Sequence, residues 1–196
     1  MLNSLLSHTR YSNSGRYWYV GISCRSRILW LTNTQVPLNP SFNAPQVLNA
    51  INHLDASHLI IGAETNLPRK DPRSNISLLT HLIPNLSGSS LESELVPSLK
   101  NVVLVNNAQG RVALDEYRSL KRYEHVFEDG GQDNAFQDQG LHPDDIVNIQ
   151  FTSGTTSMPK AACLSHRSIL NNGNSIGDRM LLTPDDVVCC PPPLFQ

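Results

Sequence analysis

Acidic residues are missing from the first 54 positions of this 196-residue chain, the earliest being Asp55. The same stretch carries Arg10, Arg16, Arg25 and Arg27, with six serines in the first 30 positions. An acid-poor, Arg- and Ser-rich start fits a mitochondrial transit peptide. Residues 11–21 are aromatic and glycine-interrupted, which breaks the amphipathic helix such a peptide needs, so a tail foreign to the domain fits as well. Charged residues make up 16% of the chain, well below the usual quarter, and net charge is only −2. That balance gives no reason to expect nucleic acid or an anionic membrane as a partner. No run approaches the roughly 20 apolar residues of a membrane span. Four cysteines (Cys24, Cys163, Cys189 and Cys190) show neither metal nor disulfide spacing. A reducing, intracellular compartment, cytoplasmic or mitochondrial, follows as the expectation.

What the chain does have begins at Val36-Pro37-Leu38-Asn39-Pro40. Val47, Leu48, Ile51 and Leu54 recur at helical spacing, and Pro45 suits a first helical turn. His58-Leu59-Ile60-Ile61-Gly62 reads as a short buried strand closed by glycine, and Asn101-Val102-Val103-Leu104-Val105 as another. Between them, residues 67–97 are rich in Pro, Ser and Asn, with Leu78, Leu79, Leu82 and Ile83 able to form one short helix. Residues 115–127 read as a surface helix, and residues 128–140 as a solvated loop. The fold class expected is α/β, with a mostly parallel sheet flanked by helices.

The strongest signal lies at Thr152-Ser153-Gly154-Thr155-Thr156-Ser157-Met158-Pro159-Lys160. Residues 144–151 before it are rich in β-branched side chains, and residues 160–165 after it are short and mostly apolar, so a strand is expected on each side. A small-residue loop between two strands leaves main-chain N–H groups free to face an anion; its hydroxyls add donors and Lys160 adds charge. The Walker count fails, because Pro159 stands where a second glycine is needed and Ala161 where Ser or Thr is needed. Ser165 is placed to cap a helix running from His166 to about Leu181, and residues 187–190 read as a further core strand. Among residues that tempt a catalytic reading, His166 at a helix start fits capping as well as acid–base work. Asp144-Asp145 fits a solvated turn better than a metal site, and His53 and His58 are spaced wrongly for one helix face.

In register from Thr152 to His166, the run resembles the signature loop of the adenylate-forming (AMP-binding) superfamily, Thr-Ser-Gly-Thr-Thr-Gly-x-Pro-Lys-Gly, a strand, then Ser/Thr-His. Ser157 and Ala161 replace two of its glycines. Residues 36–40, the Pro143-Asp144-Asp145 lead-in and Pro193-Leu194-Phe195 are similar to further family segments, and the wording from Leu164 to Asp178 most resembles medium-chain fatty acyl-CoA synthetases. The resemblance implies part of the N-terminal domain of that fold over residues 36–196, with residues 1–35 as a poorly matching extension. It implies ATP with Mg²⁺, CoA as a substrate, and a carboxylic acid, in particular a fatty acid, activated as its adenylate. Thr152, Ser153, Gly154, Thr155, Thr156, Ser157 and Lys160 would hold the β- and γ-phosphates, and Phe195 would line the acyl pocket. No catalytic residue and no metal ligand is expected within these 196 residues, because the family's adenine- and ribose-binding motifs, Thr-Glu segment and C-terminal lysine are not among them. Two alternatives stay open: a non-catalytic paralogue or interaction module, and an adenylation domain that loads a carrier protein.

Overall fold

A computed structural model describes residues 34–67, 69–128, 142–152 and 160–189. They fall into two compact units. One holds the described residues from 37 to 128; the other holds residues 34–36, 142–152 and 160–189.

The first unit is built on parallel pairing. Helix α1 (Ala44–His53) starts at Asn43, whose side chain accepts from the Gln46 N–H at 3.0 Å while Gln46 Oε1 accepts from the Asn43 N–H at 2.9 Å. This reciprocal cap satisfies two donors that a helix start leaves open, and Pro45 needs none. Strand β1 (His58–Gly62) leads into β2 (Glu64–Thr65), which pairs antiparallel with β3 (Arg73–Ser74) ahead of α2 (Ile76–Leu82). Strand β4 (Asn101–Val105) lies parallel between β1 and β5 (Lys121–Arg122), and α3 (Tyr123–Glu128) follows. The β1–β4 register sets Leu59 beside Val102 and Ile61 beside Leu104, and all four are buried. Ile60 and Val103, on the other face, are only half-buried, so these strands alternate where full burial was expected. Val47 and Ile51 of α1, Leu79 and Leu82 of α2, and Ile83, Val96 and Leu99 complete one apolar cluster with the buried strand residues. The surface helix expected over 115–127 is shorter, because Lys121 and Arg122 are drawn into the sheet beside Val103 and Leu104.

Polar groups are also buried at the carboxyl end of this sheet. Asn107 accepts from the Glu64 N–H and donates to the Glu64 carbonyl, both at 2.9 Å, and Asn75 donates to the Gly62 carbonyl at 2.9 Å. The Glu64 carboxylate is held by Arg111 through two hydrogen bonds of 3.1 and 2.6 Å. A Cβ on Gly62 would lie 2.8 Å from the Asn107 amide nitrogen, so this network requires glycine there.

The second unit contains an antiparallel hairpin, β6 (Ile146–Thr152) and β7 (Lys160–Ser165), followed by α4 (His166–Met180). Gln35 adds a parallel bridge to Asn148, donating to Val147 and accepting from Ile149. None of the described residues of this unit is buried. Helix α4 is secured at its ends instead. Ser165 and Ser168 form a capping box, and Leu181 closes the helix in the left-handed region at φ 54°. Ile169, Leu170, Ile176 and Met180 stay exposed along it. Residues 187–189 form no strand: Val187 is 96% exposed, and no described strand pairs with this segment.

Leu104→Ala is therefore expected to cost about 2–5 kcal/mol by denaturant unfolding, through lost burial and a residual cavity. Ile169→Ala on α4 should stay within about 0.5 kcal/mol, as exposed substitutions do. Leu181→Gly should raise the thermal midpoint of α4, followed by helical circular dichroism, because glycine removes a left-handed strain of about 1 kcal/mol.

Candidate functional site

The hairpin places its two ends differently. At the mouth, Thr152 lies directly opposite Lys160, and its hydroxyl donates to the Lys160 carbonyl at 3.3 Å. Both residues are exposed. Ser153, Gly154, Thr155, Thr156 and Ser157, expected between them to hold phosphate, lie outside the described residues, as does Phe195. The structure thus brings together the first and last residues of the expected cradle. No carboxylate stands between residues 152 and 160, so the donor set is hydroxyls, main-chain N–H groups and one ammonium.

At the base, residues 143–145 turn against the start of α4. Ile146 pairs with Ser165, and just beyond that pair Asp144, in the turn before β6, meets Arg167, the second residue of α4. Arg167 grips the Asp144 carboxylate in a fork, Nε to Oδ1 at 2.6 Å and Nη2 to Oδ2 at 3.1 Å. Its main-chain N–H donates to the Pro143 carbonyl at 2.8 Å. His166, weighed as an acid or base, is the first residue of the helix, and its N–H donates to the Asp145 carbonyl at 3.3 Å. The Asp145 carboxylate accepts from the His142 N–H at 2.7 Å, which makes this aspartate a turn-closing residue.

The Arg167 hydrogen bond holds the Asp144 carboxyl below the ordinary carboxylate range, aided by the charges of Arg167 and His142, while partial burial opposes it. Arg167 is pushed up in turn by the same hydrogen bond. The Asp144–Arg167 ion pair is a feature of the hairpin base that motif reading missed. The two residues are 23 apart and no local pattern signals them.

A family model described as "AMP-binding enzyme" matches residues 29–196. The chain belongs to the AMP-binding enzyme family. It is 34% identical over 165 residues to the acyl-CoA ligase sidI of Aspergillus fumigatus, covering 82% of this chain and 25% of that protein. To the mitochondrial medium-chain acyl-CoA ligase ACSF2 of Bos taurus it is 30% identical over 176 residues, covering 82% and 26%. Among solved structures, acetoacetyl-CoA synthetase from Streptomyces lividans matches 70% of this chain and 19% of its own, with TM-score 0.52 and 20% identity, which is a likeness of fold. This AMP-binding chain spans about a quarter of the length of the curated relatives it matches. Among the described residues no helix is long and apolar enough to cross a membrane, and no group of His, Cys, Asp and Glu is placed to hold a metal ion.

The depressed Asp144 carboxyl sets a sign for pH. A carboxylate stabilised in the folded state contributes above its unfolded-state range, and that contribution is lost as pH falls through the folded value. The stability difference between wild type and Asp144→Asn, read from helical circular dichroism melts, should be steady near neutrality and vanish below the ordinary carboxylate range.

Proposed function

We propose that the chain supplies the polyphosphate-holding part of an AMP-forming acid–CoA ligase that acts on a fatty acid. In such a reaction a carboxylate attacks the α-phosphate of ATP, pyrophosphate leaves, and the thiol of CoA then takes the acyl group from the adenylate. The observation that carries the proposal is the hairpin register setting Thr152 against Lys160, in a chain whose family match covers residues 29–196. The two curated relatives named above, both acyl-CoA ligases, support the same activity.

Each residue's part follows from its chemistry. Ser153, Thr155, Thr156 and Ser157 offer hydroxyl and main-chain donors, Gly154 allows close backbone approach, and Lys160 neutralises charge that builds on the departing pyrophosphate. Thr152 stands at the mouth beside Lys160. With no carboxylate in the run, Mg²⁺ would travel on the phosphates. Phe195 is assigned to the acyl pocket on resemblance, and residues 36–196 to one AMP-binding domain. An intracellular setting, cytoplasmic or mitochondrial, goes with this activity.

Calorimetric titration of the 196-residue chain with magnesium pyrophosphate tests the site. Lys160→Ala should weaken binding roughly tenfold, the loss expected when a charge-assisted contact is removed. Unchanged affinity in this variant would count against the site. Because the adenine-side motifs are not among these residues, the 196 residues alone should show no carboxylate-dependent exchange of pyrophosphate into ATP.

A further inference from the structure

Among the described residues of the hairpin–helix unit none is fully buried, so polar contacts carry part of what sets β6 and β7 against each other. The β6–β7 register is also irregular. It shifts between Ile146 and Asn148, close to the base of the hairpin. A bulge at that place is where a register slip would begin, and a one-residue slip turns every side chain of a strand to the opposite face. Thr152 would then no longer lie opposite Lys160.

Two fasteners flank the shift. On one side, Gln35 exchanges main-chain hydrogen bonds with Val147 and Ile149, and the Thr34 hydroxyl donates to the Ile146 carbonyl at 2.9 Å. On the other stands the Asp144–Arg167 pair. Exposed ion pairs usually contribute little, unless geometry is forked or several contacts act together. The forked geometry holds here. Arg167 makes two side-chain bonds to Asp144 and one main-chain bond to Pro143, all within one turn.

We propose that Asp144 and Arg167 are positioning residues for the polyphosphate site: by locking the base of the hairpin, they hold the register that sets Thr152 opposite Lys160 at its mouth. This rests on the ligase reading above. The pair acts through β6 and β7 and touches no substrate.

A charge-swap cycle on the 196-residue chain tests it, with Asp144→Arg, Arg167→Asp and the double variant. Two quantities are read: magnesium pyrophosphate affinity, and hydrogen exchange of the β6 and β7 amides in the ligand-free protein. Both side chains are half-exposed, so each variant can keep its fold. Each single variant should bind about two- to fivefold more weakly, the span that exposed ion pairs cover, with faster exchange in both strands. The double variant should recover both readings. Lys160→Ala serves as the contrast, losing affinity with exchange unchanged. If both single variants exchange faster yet bind as wild type does, the pair is merely structural and the proposal falls. It falls equally if the double variant recovers neither reading, or if neither single variant changes. Absence of pyrophosphate binding by the wild-type chain overturns the ligase reading, and this proposal with it.

Discussion

Antiparallel pairing between β6 and β7 decides which side chains share a face at the mouth of the hairpin. The period of a strand is two residues, so its register has no intermediate setting: Thr152 meets Lys160, or the two point to opposite sides. In most proteins a buried face enforces such a choice. Here no described residue of the unit is fully buried, and a main-chain bridge from Gln35 and a forked ion pair stand at the base of the hairpin.

The other unit settles its geometry in the opposite way. Leu59 and Ile61 stand beside Val102 and Leu104, all facing one apolar cluster, so a slip of either strand would expose what is now buried. Polar groups then finish the carboxyl end of that sheet. Asn107 spends its amide on both main-chain groups of Glu64, and Arg111 neutralises the Glu64 carboxylate, which is only 5% exposed. Burying that carboxylate without its partner would cost several kcal/mol, so the arginine is part of the fold rather than an ornament of its surface.

Much of this was legible in the residues. Both parallel strands, His58–Gly62 and Asn101–Val105, form where their apolar runs lie, and the helix after Ser165 begins at its cap. The hairpin was legible because small polar residues interrupt two β-rich stretches. Local pattern does not report pairing at a distance, and that is where expectation and structure part. Lys121 and Arg122 join the sheet because Val103 and Leu104 offer an edge, whereas Val187 and Val188 stay exposed with no described strand beside them. Glu64 and Arg111 are 47 residues apart, and Asp144 and Arg167 are 23 apart; neither pair leaves a motif. Ser153, Gly154, Thr155, Thr156 and Ser157 remain known by their resemblance to the family's signature loop.

The pairing distances carry a kinetic consequence. Thr152 and Lys160 are eight residues apart along the chain, while His58 and Asn101 are separated by 43. Closing a short hairpin takes on the order of microseconds, and longer closures come more slowly because more chain entropy is lost first. The stem of the candidate site should therefore be among the earliest structures to appear, with side chains that are at most half-buried. The parallel sheet, whose strands bury alternate side chains, assembles later.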